Sequence, residues 1–211
     1  MLFYRVVHVF VARGSALVFR ARIRGRERLP RSGGYVLAPS HRSMMDIPFL
    51  AVVTPRRVRF MGKVQVFKIP VVGTVFRWLG GFPVQRDGTD RKAVRDSIEI
   101  LQGGEPLVIY PEGTRQHGGV IQPLQPGAAY LAIRAGVPVV PVGIAGSEEI
   151  FRSHGTKRPH LGRVGIVVGE PIHPPVRSTG VVKRDVVNDM TDTLAKELQQ
   201  VFDEAYALRD R

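Results

Sequence analysis

Six short Val- and Ile-rich runs, punctuated by Gly and Pro and separated by stretches of helical spacing, narrow what this chain can fold into. The runs are Tyr35–Ala38, Val58–Met61, Phe82–Gln85, Leu107–Tyr110, Val139–Ile144 and Val164–Val168. They are apolar nearly throughout and do not alternate with polar residues, as befits strands covered on both faces. Between and after them lie three helical patterns. Asp90–Leu101 carries Val94, Ile98 and Leu101 on one side, and Ala128–Ala135 opens after Gly127 and stops at Gly136. Lys183–Leu208 has the longest apolar stripe: Val186, Met190, Leu194, Leu198, Val201, Phe202 and Ala205. Alternating strands and helices predict a single α/β domain with a mostly parallel central sheet flanked by helices. At 211 residues and 44% hydrophobic, the chain can bury a sizeable core, and no repeat or linker divides it.

Charge adds a constraint of another kind. Lys and Arg number 31 against 18 Asp and Glu, a net +13, and Arg outnumbers Lys by 25 to 6. Such a surplus fits an anionic partner (a phosphate-bearing substrate, nucleic acid or an acidic membrane leaflet) or a solvated, Arg-biased surface. The arginines are dispersed, and no helix-turn-helix, zinc-finger or RNA-binding signature accompanies them, so nucleic acid is not expected. The chain has no Cys, which excludes disulfides, Cys nucleophiles and thiolate metal sites and fits a cytoplasmic setting. No His/Asp/Glu cluster stands at ligand spacing, so no metal is expected.

Two apolar stretches bear on membranes. In residues 1–24, a helix would align Phe3, Val6, Val7, Phe10, Gly14, Leu17 and Val18, with Arg5, Arg13 and Arg20 mostly off that face. Arg5, His8 and Arg13 interrupt the run, so it neither spans a bilayer nor reads as a signal peptide. It is expected to be an amphipathic segment in the membrane interface ahead of a domain at 25–211, the other reading being a helix packed on that domain. Val64–Gly81 is apolar and aromatic, dotted with Lys68 and Arg77. It is either buried core or a surface facing membrane or acyl chain, and Pro70 argues against one long straight helix.

Two constellations carry chemistry. His41 and Asp46 sit five residues apart where a predicted strand turns into a helix, close enough for the carboxylate to fix one ring nitrogen as N–H and leave the other as a base. The same segment also fits a capping box, Ser43 with Asp46 three residues on, and the two readings are compatible. Tyr110-Pro111-Glu112-Gly113-Thr114-Arg115 follows another strand. Arg115 offers a fork of donors for a phosphate, and Gly113 permits close backbone approach; the plainer reading is a tight turn with a surface Arg. Lys63 and Arg86 follow two further strands. If those strands are parallel, His41, Lys63, Arg86 and Arg115 all lie at one edge of the sheet, where ligands bind in open α/β folds.

Four blocks in order make the chain resemble the glycerolipid acyltransferase family that includes the 1-acyl-glycerol-3-phosphate acyltransferases, over about residues 20 to 170. They are His41-x4-Asp46, Gly81-Phe82-Pro83-Val84-Gln85-Arg86, Glu112-Gly113-Thr114-Arg115 and Val137-Pro138-Val139-Val140-Pro141-Val142. Departures are Ser40 where the family often has Asn and Gln116 where it often has a small residue. The resemblance implies a glycerol-3-phosphate acyltransferase-like fold. It implies His41 and Asp46 as the catalytic pair, and Lys63, Arg86, Glu112, Gly113, Thr114 and Arg115 around the acceptor phosphate. Val140 and Pro141 fall on the acyl-donor side. The implied reaction passes a fatty acyl group from acyl-CoA or acyl-carrier protein to the free hydroxyl of lysophosphatidate (1-acyl-sn-glycerol-3-phosphate), with no other cofactor. It implies a peripheral or monotopic protein at the cytoplasmic, anionic face of the cell membrane.

Three alternatives stand beside it. One is acylation of another lysolipid or of glycerol-3-phosphate. Another is a non-enzymatic basic protein that binds membrane or nucleic acid. The third is a Ser hydrolase using Ser43, which lacks the G-x-S-x-G elbow.

Overall fold

Strand Val139–Ala145, buried along its whole length, lies inside a seven-stranded sheet. In this computed structural model, which describes residues 14, 16–54, 56–84, 91–150, 162–175 and 180–211, the strands are β1 Arg22–Arg24, β2 Val36–Pro39, β3 Arg59–Lys63, β4 Gly81–Val84, β5 Leu107–Val108, β6 Val139–Ala145 and β7 Gly165–Val168. Their order is β1-β7-β6-β2-β5-β3-β4. The five from β6 to β4 run parallel, while β7 pairs antiparallel with β6 and β1 runs parallel to β7. The expected single α/β domain with a mostly parallel sheet is what forms.

Period-two alternation sorts the strand residues between two cores. Val36, Ala38 and Val139 point to the side covered by helices α4 Arg91–Gln102 and α5 Gly127–Ala135 and by the start of α7 Arg184–Asp210. Leu37, Val140, Val142 and Ile144 point to the other side, against Phe49, Leu50 and Val53 of α1 Asp46–Val53 and Ile150 of α6 Ser147–Ile150. α7 lies directly on the sheet: a Cβ at Gly143 would stand 2.2 Å from the Val201 carbonyl oxygen, and one at Gly165 would stand 2.0 Å from that of Ala205. Only glycine lets helix and strand backbones approach so closely. α5 stops where expected, with Gly136 left-handed and its N–H bonded to the Ala132 carbonyl.

β1 was not among the expected strands. Its sequence, Arg-Ile-Arg, carries no apolar run, and it forms the charged edge of the sheet. Phe19 is buried in the core beside it. Of the expected N-terminal amphipathic segment, residues 1–13 lie outside the described residues. Val64–Gly81 holds two short helices, α2 Val64–Lys68 and α3 Pro70–Trp78, broken where Pro70 starts the second. The stretch is buried in part and exposed in part. Phe67 packs edge-on against Phe76, and Phe76 against Phe60, while Ile69, Val71 and Val72 are exposed. Among the described residues no helix is long and apolar enough to cross a membrane.

Candidate active site

β2 delivers its last residues to the carboxyl edge of the sheet and is fastened there by Ser40. The Ser40 hydroxyl accepts from the Ile144 N–H at 3.0 Å and donates to the Ile144 carbonyl at 3.3 Å, tying the end of β2 to β6. The chain then leaves the sheet at His41 and turns into α1, whose first residue is Asp46.

Asp46 is wholly buried and saturated with donors. Its Oδ2 accepts from His41 Nδ1–H at 2.8 Å and from the backbone N–H groups of Arg42 and Ser43 at 2.9 Å each. Its Oδ1 accepts from the Ser147 hydroxyl at 2.5 Å. The capping box is half formed: the carboxylate reaches back to the Ser43 N–H, but Ser43 Oγ accepts from Met45 N–H at 3.2 Å and not from Asp46. Because a carboxylate only accepts, Nδ1 of His41 is the N–H, and in the neutral ring the lone pair then lies on Nε2. Nε2 makes no hydrogen bond among the described residues, and the side chain is 17% exposed.

Tyr110 packs its ring on the imidazole, with centroids 3.9 Å apart and planes 27° apart. Its hydroxyl is buried without a hydrogen-bond partner among the described residues. Burial, and after it the charge of Asp46, pushes the Tyr110 hydroxyl well above the usual tyrosine range, so it stays neutral. One face of His41 is thus shielded by a ring that carries no charge.

The Glu112–Arg115 loop is strapped to His41. Gly113, at φ +74°, closes a turn through its N–H to the Tyr110 carbonyl at 3.0 Å. The Gln116 N–H donates to the His41 carbonyl at 2.9 Å, which sets Arg115 one residue from a direct bond to the histidine. Thr114 and Arg115 are exposed, and Thr114 Oγ1 accepts from Gln116 Nε2 at 3.1 Å. Glu112 turns the other way, with its side chain fully buried. Its oxygens take Arg42 Nη1 at 2.7 and 2.9 Å, the His41 N–H at 3.1 Å and the Gln122 N–H at 3.1 Å.

Of the other expected site residues, Lys63 ends β3 at the same edge of the sheet, and Arg86 lies outside the described residues. Val140 and Pro141 are buried within β6, in register with Leu37 and Ala38 of β2. The structure therefore brings together His41, Asp46, Glu112, Gly113, Thr114 and Arg115. Sequence reasoning assigned no role to Arg42, Tyr110 or Ser147. Arg42 and Tyr110 stood inside the motifs; Ser147 lies 101 residues from Asp46, with no local signal.

The chain is also similar to known proteins. A family model described as Acyltransferase matches residues 20–145. A 1-acyl-sn-glycerol-3-phosphate acyltransferase of Bacillus subtilis is 27% identical over 190 residues, which is 85% of this chain and 90% of that protein. The alpha form of an enzyme with the same name from Bos taurus is 30% identical over 88% of this chain, which spans 63% of its length. Against two plant chloroplast relatives the chain spans about half their length (51% and 49%). The crystal structure of PlsC, the 1-acyl-sn-glycerophosphate acyltransferase of Thermotoga maritima, superposes with a TM-score of 0.74 at 25% identity, covering 94% of this chain and 79% of that one. With a paired histidine and aspartate at the carboxyl edge of such a sheet, the chain belongs to the acyltransferase family and is an acyltransferase enzyme.

Proposed function

We propose that this enzyme transfers a fatty acyl group from acyl-CoA or acyl-carrier protein to the free hydroxyl of 1-acyl-sn-glycerol-3-phosphate, forming phosphatidic acid. The observation that carries the reading is the His41–Asp46 pair, held at 2.8 Å with Nε2 open beside the Arg115 loop. An alcohol is a poor nucleophile at neutral pH and needs a base as its C–O bond forms. Nε2 of His41 takes the hydroxyl proton, the oxygen attacks the thioester carbonyl, and the tetrahedral intermediate expels the thiolate. The imidazolium returns its proton to the departing sulfur. Asp46 orients the ring and stabilises the imidazolium.

Arg115 and Thr114, with Lys63 and Arg86, hold the acceptor phosphate and so bring its hydroxyl to His41. Glu112 serves at one remove. Its buried carboxylate, occupied by Arg42 and two backbone N–H groups, anchors the loop that carries Arg115. Val140 and Pro141 belong to the donor side through the strand they build.

The enzyme works at the cytoplasmic face of the membrane. α2 follows directly on the carboxyl end of β3, and α3 runs back toward the parallel β4. The turn between them, with exposed Ile69, Val71 and Val72 and basic Lys68, therefore projects from the same edge as His41. Apolar residues beside cations suit an anionic lipid surface.

The test is an assay of purified protein with a panel of lysolipids and glycerol-3-phosphate, labelled acyl-CoA and acyl-carrier protein, and products resolved by position. Phosphatidic acid as the main product, lost in His41→Ala by a factor on the order of 10²–10⁴ while the fold stays intact, is the expected outcome. Preference for another acceptor, or substantial turnover by His41→Ala, overturns the acceptor or the base assignment respectively.

A further inference from the structure

The His41–Asp46 pair is completed from a part of the chain that the family model does not reach. Ser147 opens α6, just past the end of β6 and beyond the matched residues 20–145. It is wholly buried, as is Asp46, and its hydroxyl donates to Asp46 Oδ1 at 2.5 Å. We propose that Ser147 is a positioning residue for catalysis, acting on His41 through Asp46; this rests on the reading of His41 as the base.

A carboxylate rotates about its terminal torsion, which is broad and weakly restrained. Oδ2 here must serve His41 Nδ1–H and two amides at once. A single strong donor on Oδ1 fixes the plane in which that is possible. Without it, Oδ1 is a buried acceptor with no partner, and the carboxylate turns to share its remaining donors, loosening the imidazole.

Ser147 is itself held from two sides. Gly146 makes the turn into α6 at φ +89°, where a Cβ would meet the Arg163 carbonyl oxygen at 2.4 Å. The next two residues are tied to α7: Tyr206 donates to Glu148 at 2.8 Å, and Arg209 Nη1 donates to Glu149 at 2.8 Å. The far end of the C-terminal helix thus sets where the serine stands.

The experiment compares Ser147→Ala with Ser97→Ala and His41→Ala in the full-length enzyme. Ser97 is an equally buried hydroxyl that donates to the Ala93 carbonyl at 2.6 Å in α4, away from the site. Ser147→Ala is expected to lower kcat about tenfold or more, since bonds to charged groups are the strong ones. The KM values for acyl donor and acceptor should stay within about twofold, and Ser97→Ala should leave kcat unchanged. An unchanged kcat in Ser147→Ala overturns the proposal, and so does a loss that appears in KM or that Ser97→Ala reproduces. If His41→Ala remains active, the base assignment falls instead, and Ser147's role with it.

Discussion

One guanidinium nitrogen of Arg42, Nη1, meets both carboxylate oxygens of Glu112, at 2.7 and 2.9 Å, and neither side chain is exposed. The other nitrogens of Arg42 donate to the Gly118 and Val120 carbonyls at 3.1 and 3.2 Å, and the guanidinium rests 4.6 Å from the centre of the Phe202 ring. The pair therefore pins the Glu112–Val120 loop to the residue after His41 and to the C-terminal helix together.

Breaking this pair should cost far more than breaking a surface one. Arg42→Ala strands the Glu112 carboxylate without its counter-ion in the interior, and such a loss typically costs about 3–5 kcal/mol. Urea denaturation of the purified variant measures it. A change within error would show that the pair contributes no stability.

Arg115→Ala should do the opposite, leaving stability alone. Its side chain is exposed and forms no ion pair among the described residues. Losing a charged hydrogen bond to phosphate should raise the acceptor KM about tenfold or more, with the acyl-donor KM unaffected. Steady-state kinetics in each substrate separately checks this, and an unchanged acceptor KM counts against the phosphate contact.

Tyr110 should make the fold sensitive to alkali. In the folded protein its hydroxyl is held neutral well above the ordinary value of 10.0, by burial first and by Asp46 second. Above that value the unfolded chain gives up the proton while the folded one keeps it, so the contribution is whole below the unfolded pKa and is lost as pH rises. Tyr110→Phe keeps the ring and removes the titrating group. Its stability should fall less steeply than that of the parent above about pH 10. Parallel curves for the two proteins would show that the hydroxyl does not titrate this way.

The α2–α3 turn should decide recruitment to lipid. The parent enzyme is expected to co-float with anionic vesicles at low salt, and to do so less as salt rises, because cations supply part of the attraction. Replacing Ile69 and Val71 together by Glu should abolish co-flotation. Undiminished binding of the double variant would move the contact elsewhere.

What was legible in the residues follows a physical divide between local and distant pairing. The buried strands were legible because both faces are covered, so their runs are apolar throughout. The His41–Asp46 pair was legible because five residues across one turn bring the two groups together. Arg-Ile-Arg at β1 was not, since an edge strand with exposed charges carries no hydrophobic signature. Glu112 read as part of a phosphate loop because its partner, Arg42, stands 70 residues earlier. The apolar Val64–Gly81 stretch left two readings open because it divides its apolar residues: Phe67 and Phe76 turn inward, Val71 and Val72 outward.

Where α7 meets β6 and β7, no side chain separates the backbones at Gly143 and Gly165. Those contacts leave nothing compressible between the last helix and these two strands of the sheet. Phe202, beneath Arg42, rides on that same rigid slab, and so does the brace that aims Ser147. A protein shortened before residue 184 would thus keep every residue of the four recognisable motifs and still lose the foundation on which they are aligned.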